Sequence, residues 1–110
     1  LRVECTLACS RRHRNDKGRD VERPVPATDV PEFAAEVLGR NGMSAEGVEL
    51  KGYQKRWIDH PRGEFFIIEG RVVADVQITD TAAFAKAYLH GVGRKKTYGF
   101  GMIEVIDDSQ

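Results

Sequence analysis

The first ten residues constrain the fold most, because they alternate between apolar and polar side chains without a break. Leu1, Val3, Cys5, Leu7 and Cys9 occupy the odd positions, and polar or small residues fill the even ones. Side chains on a strand point alternately to its two faces, so this period predicts a strand with one buried face. The chain therefore begins in a sheet that has one covered side.

The remaining pattern predicts two helices and further strands. Residues 10–26 hold a turn signal at Asn15 to Gly18 and two closing prolines, and are either a long loop or an open hairpin. Thr28 or Asp29 can cap a short helix that begins near Pro31 and stops at 39–42. The other predicted elements are a strand over 48–58, an apolar run over 65–68, a turn over 69–71, a strand over 72–79, a helix over 82–90 between an Asp80 cap and Gly91, and a strand over 102–106.

This order of elements is that of the ferredoxin-like, or RRM-like, α+β fold. The expected architecture is βαββαβ, a four-stranded antiparallel sheet with both helices on one face, plus an extra hairpin. We interpret residues 1–110 as a single domain that ends in a polar tail over 107–110. The fold class leaves the function open, because it carries RNA binders, metal chaperones, sensors and enzymes alike.

Size and hydropathy narrow the classes of protein. At 110 residues, 41% hydrophobic and 31% charged, the chain can bury one core, which excludes a multidomain enzyme. It holds no run of about 18 uncharged apolar residues, so we expect no membrane partner and a cytoplasmic location. The chain enters a strand at Leu1 without an initiator Met, so we expect it to be part of something longer.

The cysteines and histidines do not suggest a metal or cofactor site. Cys5 and Cys9 would lie roughly 13 Å apart on one strand, too far for a mutual disulfide, so we expect reduced, buried thiols. A zinc site would need further ligands, and only three scattered histidines are available. We therefore predict no metal and no cofactor.

The net charge of zero conceals an uneven distribution. Residues 10–23, 51–62 and 94–96 together hold 13 of the 17 basic residues and 4 of the 17 acidic ones. If the fold brings these segments to one face, that face suits an RNA or DNA backbone. The alternative is three separate solvated loops.

A glycine-rich segment follows the second helix. Four of the chain's eleven glycines fall within residues 91–101, among three cations and two aromatic residues. Such a loop can bring backbone N–H groups close to a phosphate, while the cations neutralise it and the rings offer stacking surfaces. The alternative is a helix C-cap followed by a loosened edge strand. The segment is no P-loop, because it leaves a helix and enters a strand.

Three stretches carry a resemblance to a known family. HGVGRKKTYGFGMIEV, the preceding IIEGRVVADVQITDTAAFAKAYL and the opening LRVECTLACSRRHRNDKGRDVERPV resemble the C-terminal half of the CasE endoribonucleases. These nucleases belong to the Cas RAMP superfamily and process CRISPR transcripts in type I-E systems. The resemblance implies the second of two tandem ferredoxin-like domains. The partners it implies are a CRISPR repeat RNA hairpin, the N-terminal half of the same protein and other Cascade subunits.

The resemblance also implies a reaction. Family members cleave without metal, by attack of a ribose 2′-hydroxyl on the phosphate, with a histidine of the first domain assisting proton transfer. No segment here matches that domain, so we carry over no catalytic residue, and whether this chain is itself an enzyme stays open. His13 is the one candidate substitute, although a lone histidine in a flexible basic loop more often contacts backbone or solvent. His60 is interpreted as a turn residue and His90 as a helix-end residue.

We expect the RNA contacts to come from the basic segments and the glycine-rich segment. The candidate residues are Arg11, Arg12, Arg14, Lys17, Arg19, Lys51, Lys55, Arg56, Gly91, Gly93, Arg94, Lys95, Lys96 and Tyr98. Two alternatives remain: a ferredoxin-like protein-interaction or regulatory module without RNA affinity, and a small active nuclease that uses His13.

Overall fold

The computed structural model describes residues 1–106. Its strands are β1 (Arg2–Ala8), β2 (Ser10–Arg14), β3 (Asp20–Pro24), β4 (Met43–Ile58), β5 (Phe65–Ile78) and β6 (Ile103–Ile106), and its helices are α1 (Val30–Gly39) and α2 (Thr81–His90). Short 3₁₀ turns cover Ala27–Asp29 and Lys96–Tyr98. The predicted polar tail, 107–110, lies outside the described residues.

The strands form the predicted ferredoxin-like sheet. Its order is β4-β5-β1-β6, and every neighbouring pair is antiparallel. A separate two-stranded hairpin is formed by β2 and β3, and its turn is closed by a hydrogen bond from the Gly18 N–H to the Asn15 carbonyl. The predicted α+β fold class is confirmed, and of the two interpretations of residues 10–26 the open hairpin is correct.

The core lies between the sheet and the helices. The odd-numbered side chains of β1 are buried there with those of Val72, Ala74 and Val76 on β5, and α1 covers them with Phe33 and Leu38. Cys5 and Cys9 are free and buried, as expected. Burial raises the pKa of the Cys5 thiol to about 12 and that of Cys9 to about 11, so both stay protonated at neutral pH. Neither thiol is a nucleophile.

The predicted turn over 69–71 is wrong, because β5 runs through these residues without a break. Gly70 pairs with Leu7 of β1 and Tyr53 of β4. A Cβ on Gly70 would lie 2.6 Å from the Cys9 Sγ. This glycine therefore lets the Cys9 side chain pack close to the backbone of β5, and it does not form a turn. β4 also begins at Met43, five residues before the predicted start.

The two helices begin differently. At α2 the predicted cap is confirmed, since the Ala83 N–H donates to Asp80 Oδ1 at 3.1 Å, and Gly91 ends the helix at φ +86°. At α1 the predicted side-chain cap is wrong: Asp29 occupies the N-cap position but its side chain makes no cap hydrogen bond. The preceding 3₁₀ turn has already placed Asp29 in helical conformation, whereas a capping residue is normally extended.

This difference gives a matched pair of stability variants. Asp80→Ala is expected to lower the free energy of unfolding by about 1 kcal/mol, because the Ala83 N–H loses its partner. Asp29→Ala removes a similar carboxylate without removing a cap, and is expected to cost less than about 0.5 kcal/mol. Urea denaturation of both variants measures the difference, and equal losses would contradict the assigned cap.

The sheet extends as a two-stranded ribbon beyond β1. The pairing of β1 with β5 stops at Glu69, whereas β4 and β5 stay paired to Ile58 and Phe65. We call residues 55–68 the ribbon, residues 10–24 the basic hairpin and residues 91–101 the glycine-rich loop. All three lie at the same end of the sheet, and the candidate site is built there.

Candidate nucleic-acid interface

The glycine-rich loop is closed at its base by backbone hydrogen bonds. The Val92 N–H donates to the Gly101 carbonyl at 2.8 Å, and the Gly101 N–H donates to the Thr6 carbonyl of β1 at 2.7 Å. Gly101 has a φ of +86°, and a Cβ there would lie 1.9 Å from the Val92 carbonyl oxygen. Glycine at this position is therefore required by the path of the loop itself. The closed base fixes where the cations between the glycines lie.

One of the loop's two aromatic residues is unavailable for stacking. Phe100 is fully buried against Ala8 and Ile67, on the sheet face opposite the helices. Tyr98 is half-buried, and its ring meets the Phe65 ring of the ribbon edge-on at 5.5 Å. These contacts anchor the loop to the ribbon.

Glu22 of β3 joins the basic hairpin to the loop. Its carboxylate lies 3.1 Å from Arg94 Nη2 and 3.4 Å from Lys95 Nζ, and Ser10 Oγ donates to it at 3.1 Å. Partial burial acts to raise the Glu22 pKa, but the Ser10 hydrogen bond and the two cations outweigh it, so the pKa lies below its usual range. Two segments far apart in sequence are thereby held side by side.

The ribbon brings the third basic segment to the same end. The Arg56 guanidinium lies 5.4 Å from the centre of the Phe100 ring, and Lys55 Nζ lies 4.7 Å from that of Phe66. Lys95 lines a cavity of about 180 Å³ together with Phe65 and Phe66 and with residues of the basic hairpin. The basic segments therefore converge, which is the arrangement that suits a polyanion.

Several candidates lie apart from this convergence. Lys51 Nζ pairs instead with Glu49 at 2.7 Å. Lys17 and Arg19 are at the hairpin tip, where their backbone N–H groups donate to Asn15 Oδ1, and Arg14 faces Asp20 at 3.9 Å. His13 lies within β2 opposite Val21 and is half-exposed. His60 is in the ribbon turn and His90 ends α2, as predicted.

The sheet face opposite the helices is electrically balanced rather than basic. Arg71 pairs with Glu4 at 2.7 Å, and Arg2 with Asp75 at 3.4 Å. Glu69 accepts from Gln54 at 2.6 Å and lies 3.7 Å from Arg56. An anionic ligand is therefore favoured at the end of the sheet and not across this face.

Two residues of the site were missed by sequence reasoning. Glu22 is one of three acids in a basic segment, and Arg40 is a lone cation at the end of α1 that lines a cavity with Arg94 of the glycine-rich loop. A count of charges along the sequence does not distinguish either residue from the other charged residues of the chain. The sequence carries no signal that Glu22 meets Arg94 and Lys95.

Glu22→Gln tests the link between hairpin and loop. At neutral pH the variant is expected to be less stable by under about 1 kcal/mol, because the pair is partly exposed. A lowered folded-state pKa gives stability above the unfolded value, near 4.5, that is lost as pH falls through the folded pKa. The difference in unfolding free energy should be full at pH 6, begin to fall near pH 4.5 and vanish once the pH is below the lowered folded-state pKa. Glu104→Gln, exposed on β6, is the control. A difference that persists at low pH would contradict the link.

Neither a metal cluster nor a membrane helix appears in the described part of the chain. Within residues 1–106, no three His, Cys, Asp or Glu side chains are grouped to hold a metal ion. No helix in that range is long and apolar enough to cross a membrane.

The fold and the basic end together define a ferredoxin-like domain suited to an anionic ligand. The family model described as CRISPR associated protein matches residues 32–106, and the chain belongs to this family. No protein among those of curated function matches the chain significantly.

Solved structures share the fold of this chain. CRISPR endoribonuclease Cse3 bound to a 19-nucleotide RNA aligns over 97% of this chain and 56% of its own, with a TM-score of 0.78 and 18% identity. Cas6e from Escherichia coli K-12 aligns over 94% and 57%, at 0.71 and 15%. Thermus thermophilus Cse3 bound to an RNA representing a pre-cleavage complex aligns over 97% and 54%, at 0.66 and 20%.

These identities show a shared fold. This chain spans little more than half the length of the structures it matches. The resemblance to the CasE endoribonucleases drawn from the sequence is confirmed.

Proposed function

We propose that this chain is the RNA-binding, C-terminal domain of a CasE-type CRISPR repeat endoribonuclease. The observation that carries the proposal is the convergence of three basic segments at one end of the sheet, held by Glu22 between the basic hairpin and the glycine-rich loop. The Cse3 neighbours are described as bound to RNA, which supports an RNA ligand here. The ligand we propose is the stem-loop of a CRISPR repeat.

The proposed phosphate contacts are of two kinds. Lys96 is exposed at the outer part of the loop, and Lys95 beside it keeps a left-handed backbone at φ +61°. Arg56 and Lys55 offer cations above aromatic rings on the ribbon. Lysine neutralises a phosphate as a point charge, whereas arginine can bind two of its oxygens at once. Gly93 is half-buried at positive φ and is the candidate for a backbone contact with RNA, whereas Gly91 is buried against Gly101 and shapes the base of the loop.

For cleavage, we propose the family's metal-independent reaction in the full-length protein. The 2′-oxygen bonds to phosphorus as the bond to the 5′-oxygen breaks, which leaves a 2′,3′-cyclic phosphate and a 5′-hydroxyl. One group must take the 2′-hydroxyl proton and another must give a proton to the 5′-oxygen. His13 is the one histidine at the basic hairpin, and its half-exposed place on β2 gives it no partner fixed by a hydrogen bond within residues 1–106. We therefore propose that this domain binds without cutting and that the other half supplies the catalytic histidine.

The direct test is a binding and cleavage assay with a CRISPR repeat hairpin in the absence of metal. With about four phosphate contacts, affinity is expected to fall about 100-fold between about 50 and 200 mM salt. Intact RNA in the bound fraction is the expected result. Cleavage to a cyclic phosphate would reassign the active site to this chain, and loss of cleavage in His13→Ala would identify the residue.

A second function is favoured by one observation. Leu89 and Tyr88 on α2 and Met102 before β6 are exposed, and only Ala87 of α2 is buried. An apolar helix face of this kind suits a protein surface, such as the other half of the same protein or another Cascade subunit. A module that only binds proteins would show no affinity for the repeat hairpin at low salt.

A further inference from the structure

A second basic cavity lies on the α1 side of the glycine-rich loop. It measures about 380 Å³ and lies between β2, the C-terminal half of α1 and the start of the loop. Its walls hold four arginines and no carboxylate, and the lining residues are Ser10, Arg11, Arg12, Phe33, Val37, Arg40, Gly93 and Arg94. We call Arg11, Arg12, Arg40 and Arg94 the arginine pocket.

Two of the four arginines are held by carboxylates that do not line the cavity. Arg11 stacks over the Phe33 ring at 5.2 Å, and its Nη1 lies 2.9 Å from Glu36 Oε2. Arg94 Nη2 is held by Glu22. Across residues 1–106, no carboxylate oxygen lies within 4 Å of the Arg12 or Arg40 side-chain nitrogens. The pocket therefore combines positioned guanidinium groups with a surplus of positive charge.

Arg94 carries an unsatisfied donor. Its Nη1 is buried and has no hydrogen-bond partner within residues 1–106. A buried charged donor without a partner is costly, so Arg94 gains a strong interaction if its side chain turns to bring this group to an acceptor in the pocket. A phosphate group suits this site, because guanidinium groups bind its oxygens in pairs and several arginines can share one phosphate.

The pocket is continuous with the proposed RNA surface. Ser10 lines both the arginine pocket and the cavity that contains Lys95, and Arg94 and Lys95 are neighbours that both contact Glu22. A strand bound at Lys95 therefore lies beside Arg94. The cavity that contains Lys95 is lined by the ribbon and the arginine pocket by α1, so a ligand that occupies both must bend between them, as a flexible single strand can.

We propose that the arginine pocket holds a backbone phosphate of the single-stranded RNA that flanks the repeat hairpin. This inference rests on the proposed function and adds a second contact with the RNA, between Arg40 and the flanking strand. The stem stays at the ribbon and the loop, and the flank crosses to α1.

The test compares two RNAs, the repeat hairpin alone and the same hairpin with single-stranded flanks, on wild type and Arg40→Glu. Arg40 is exposed and outside the basic hairpin and the loop. The variant is expected to weaken binding of the flanked RNA about tenfold, with a loss at least fivefold larger than for the hairpin alone. Lys86→Glu on α2 makes the same change of charge and is expected to alter both affinities less than twofold. Thermal melting checks that Arg40→Glu is folded.

Equal losses of affinity for the two RNAs, or no loss for the flanked RNA, would contradict binding of the flank by the arginine pocket. The proposed function would be unaffected. A wild type that binds neither RNA would overturn the proposed function, and the flank contact with it. A titration with inorganic phosphate distinguishes two ligands of the arginine pocket, a backbone phosphate of the RNA and free phosphate. If phosphate alone shifts the arginine side-chain NMR signals of wild type at submillimolar concentration and flanked RNA does not displace it, the pocket binds free phosphate and the flank assignment is wrong.

Discussion

Replacing Lys95 and Lys96 together with alanine is expected to weaken binding of the repeat hairpin about tenfold near 100 mM salt. The slope of log affinity against log salt should fall by about 2, because each lysine that leaves a phosphate removes about one released counterion. Both residues lie on the glycine-rich loop, whose base is closed independently of their side chains. Thermal stability should therefore change little, and fluorescence anisotropy at several salt concentrations measures the effect.

Lys86→Glu is the matched control for this variant. It also lowers the net charge by two, but at an exposed position of α2. We expect it to alter affinity less than twofold. If the double alanine variant kept the affinity and salt slope of wild type, these two lysines would not contact RNA. If Lys86→Glu weakened binding equally, the loss of affinity would come from the overall electrostatic field of the domain and not from the loop.

Gly101→Ala is expected to have the largest effect on stability. The new methyl group would lie 1.9 Å from the Val92 carbonyl oxygen, and Val92 is fully buried. Relief requires opening both backbone hydrogen bonds that close the loop, to Val92 and to Thr6. With the added cost of a positive φ, we expect a loss of about 3 kcal/mol or more in the free energy of unfolding.

Gly99→Ala separates the clash from the backbone conformation. Gly99 has a φ of +89°, but a methyl group at this position would meet no atom within 4 Å among residues 1–106. Its expected loss is about 1 kcal/mol, which is the cost of the left-handed backbone alone. Urea denaturation followed by circular dichroism measures both variants. Similar losses would contradict the close contact between residues 92 and 101.

The elements that sequence predicted correctly are those governed by local rules. The alternation of apolar and polar residues over β1 fits only a strand with one buried face. Asp80 and Gly91 mark the two ends of α2 through contacts with residues only a few positions away. The predicted turn over 69–71 is wrong because a glycine can also lie inside a strand where a neighbouring side chain leaves no room for a Cβ. Here the neighbouring side chain is that of Cys9, which faces Gly70. The α1 cap failed because a 3₁₀ turn precedes it.

The site was predictable as a set of charges but not as a shape. Sequence identifies the basic segments, because charge clusters are visible without a fold. Where each cation lies depends on partners distant along the chain, such as Glu22 for Lys95, or on strand geometry, as for Lys51 and Glu49. The burial of Phe100 depends on the path of the loop, and the pocket around Arg40 on the packing of α1 against β2.

The most direct test of RNA binding by the basic end is a map of the binding surface by NMR titration of the chain with the repeat hairpin. We predict that amide shifts concentrate in three segments, the basic hairpin, the glycine-rich loop and the ribbon. Shifts confined to α2 and β6, or absent at low salt, would contradict RNA binding by the basic end and favour a surface that binds protein.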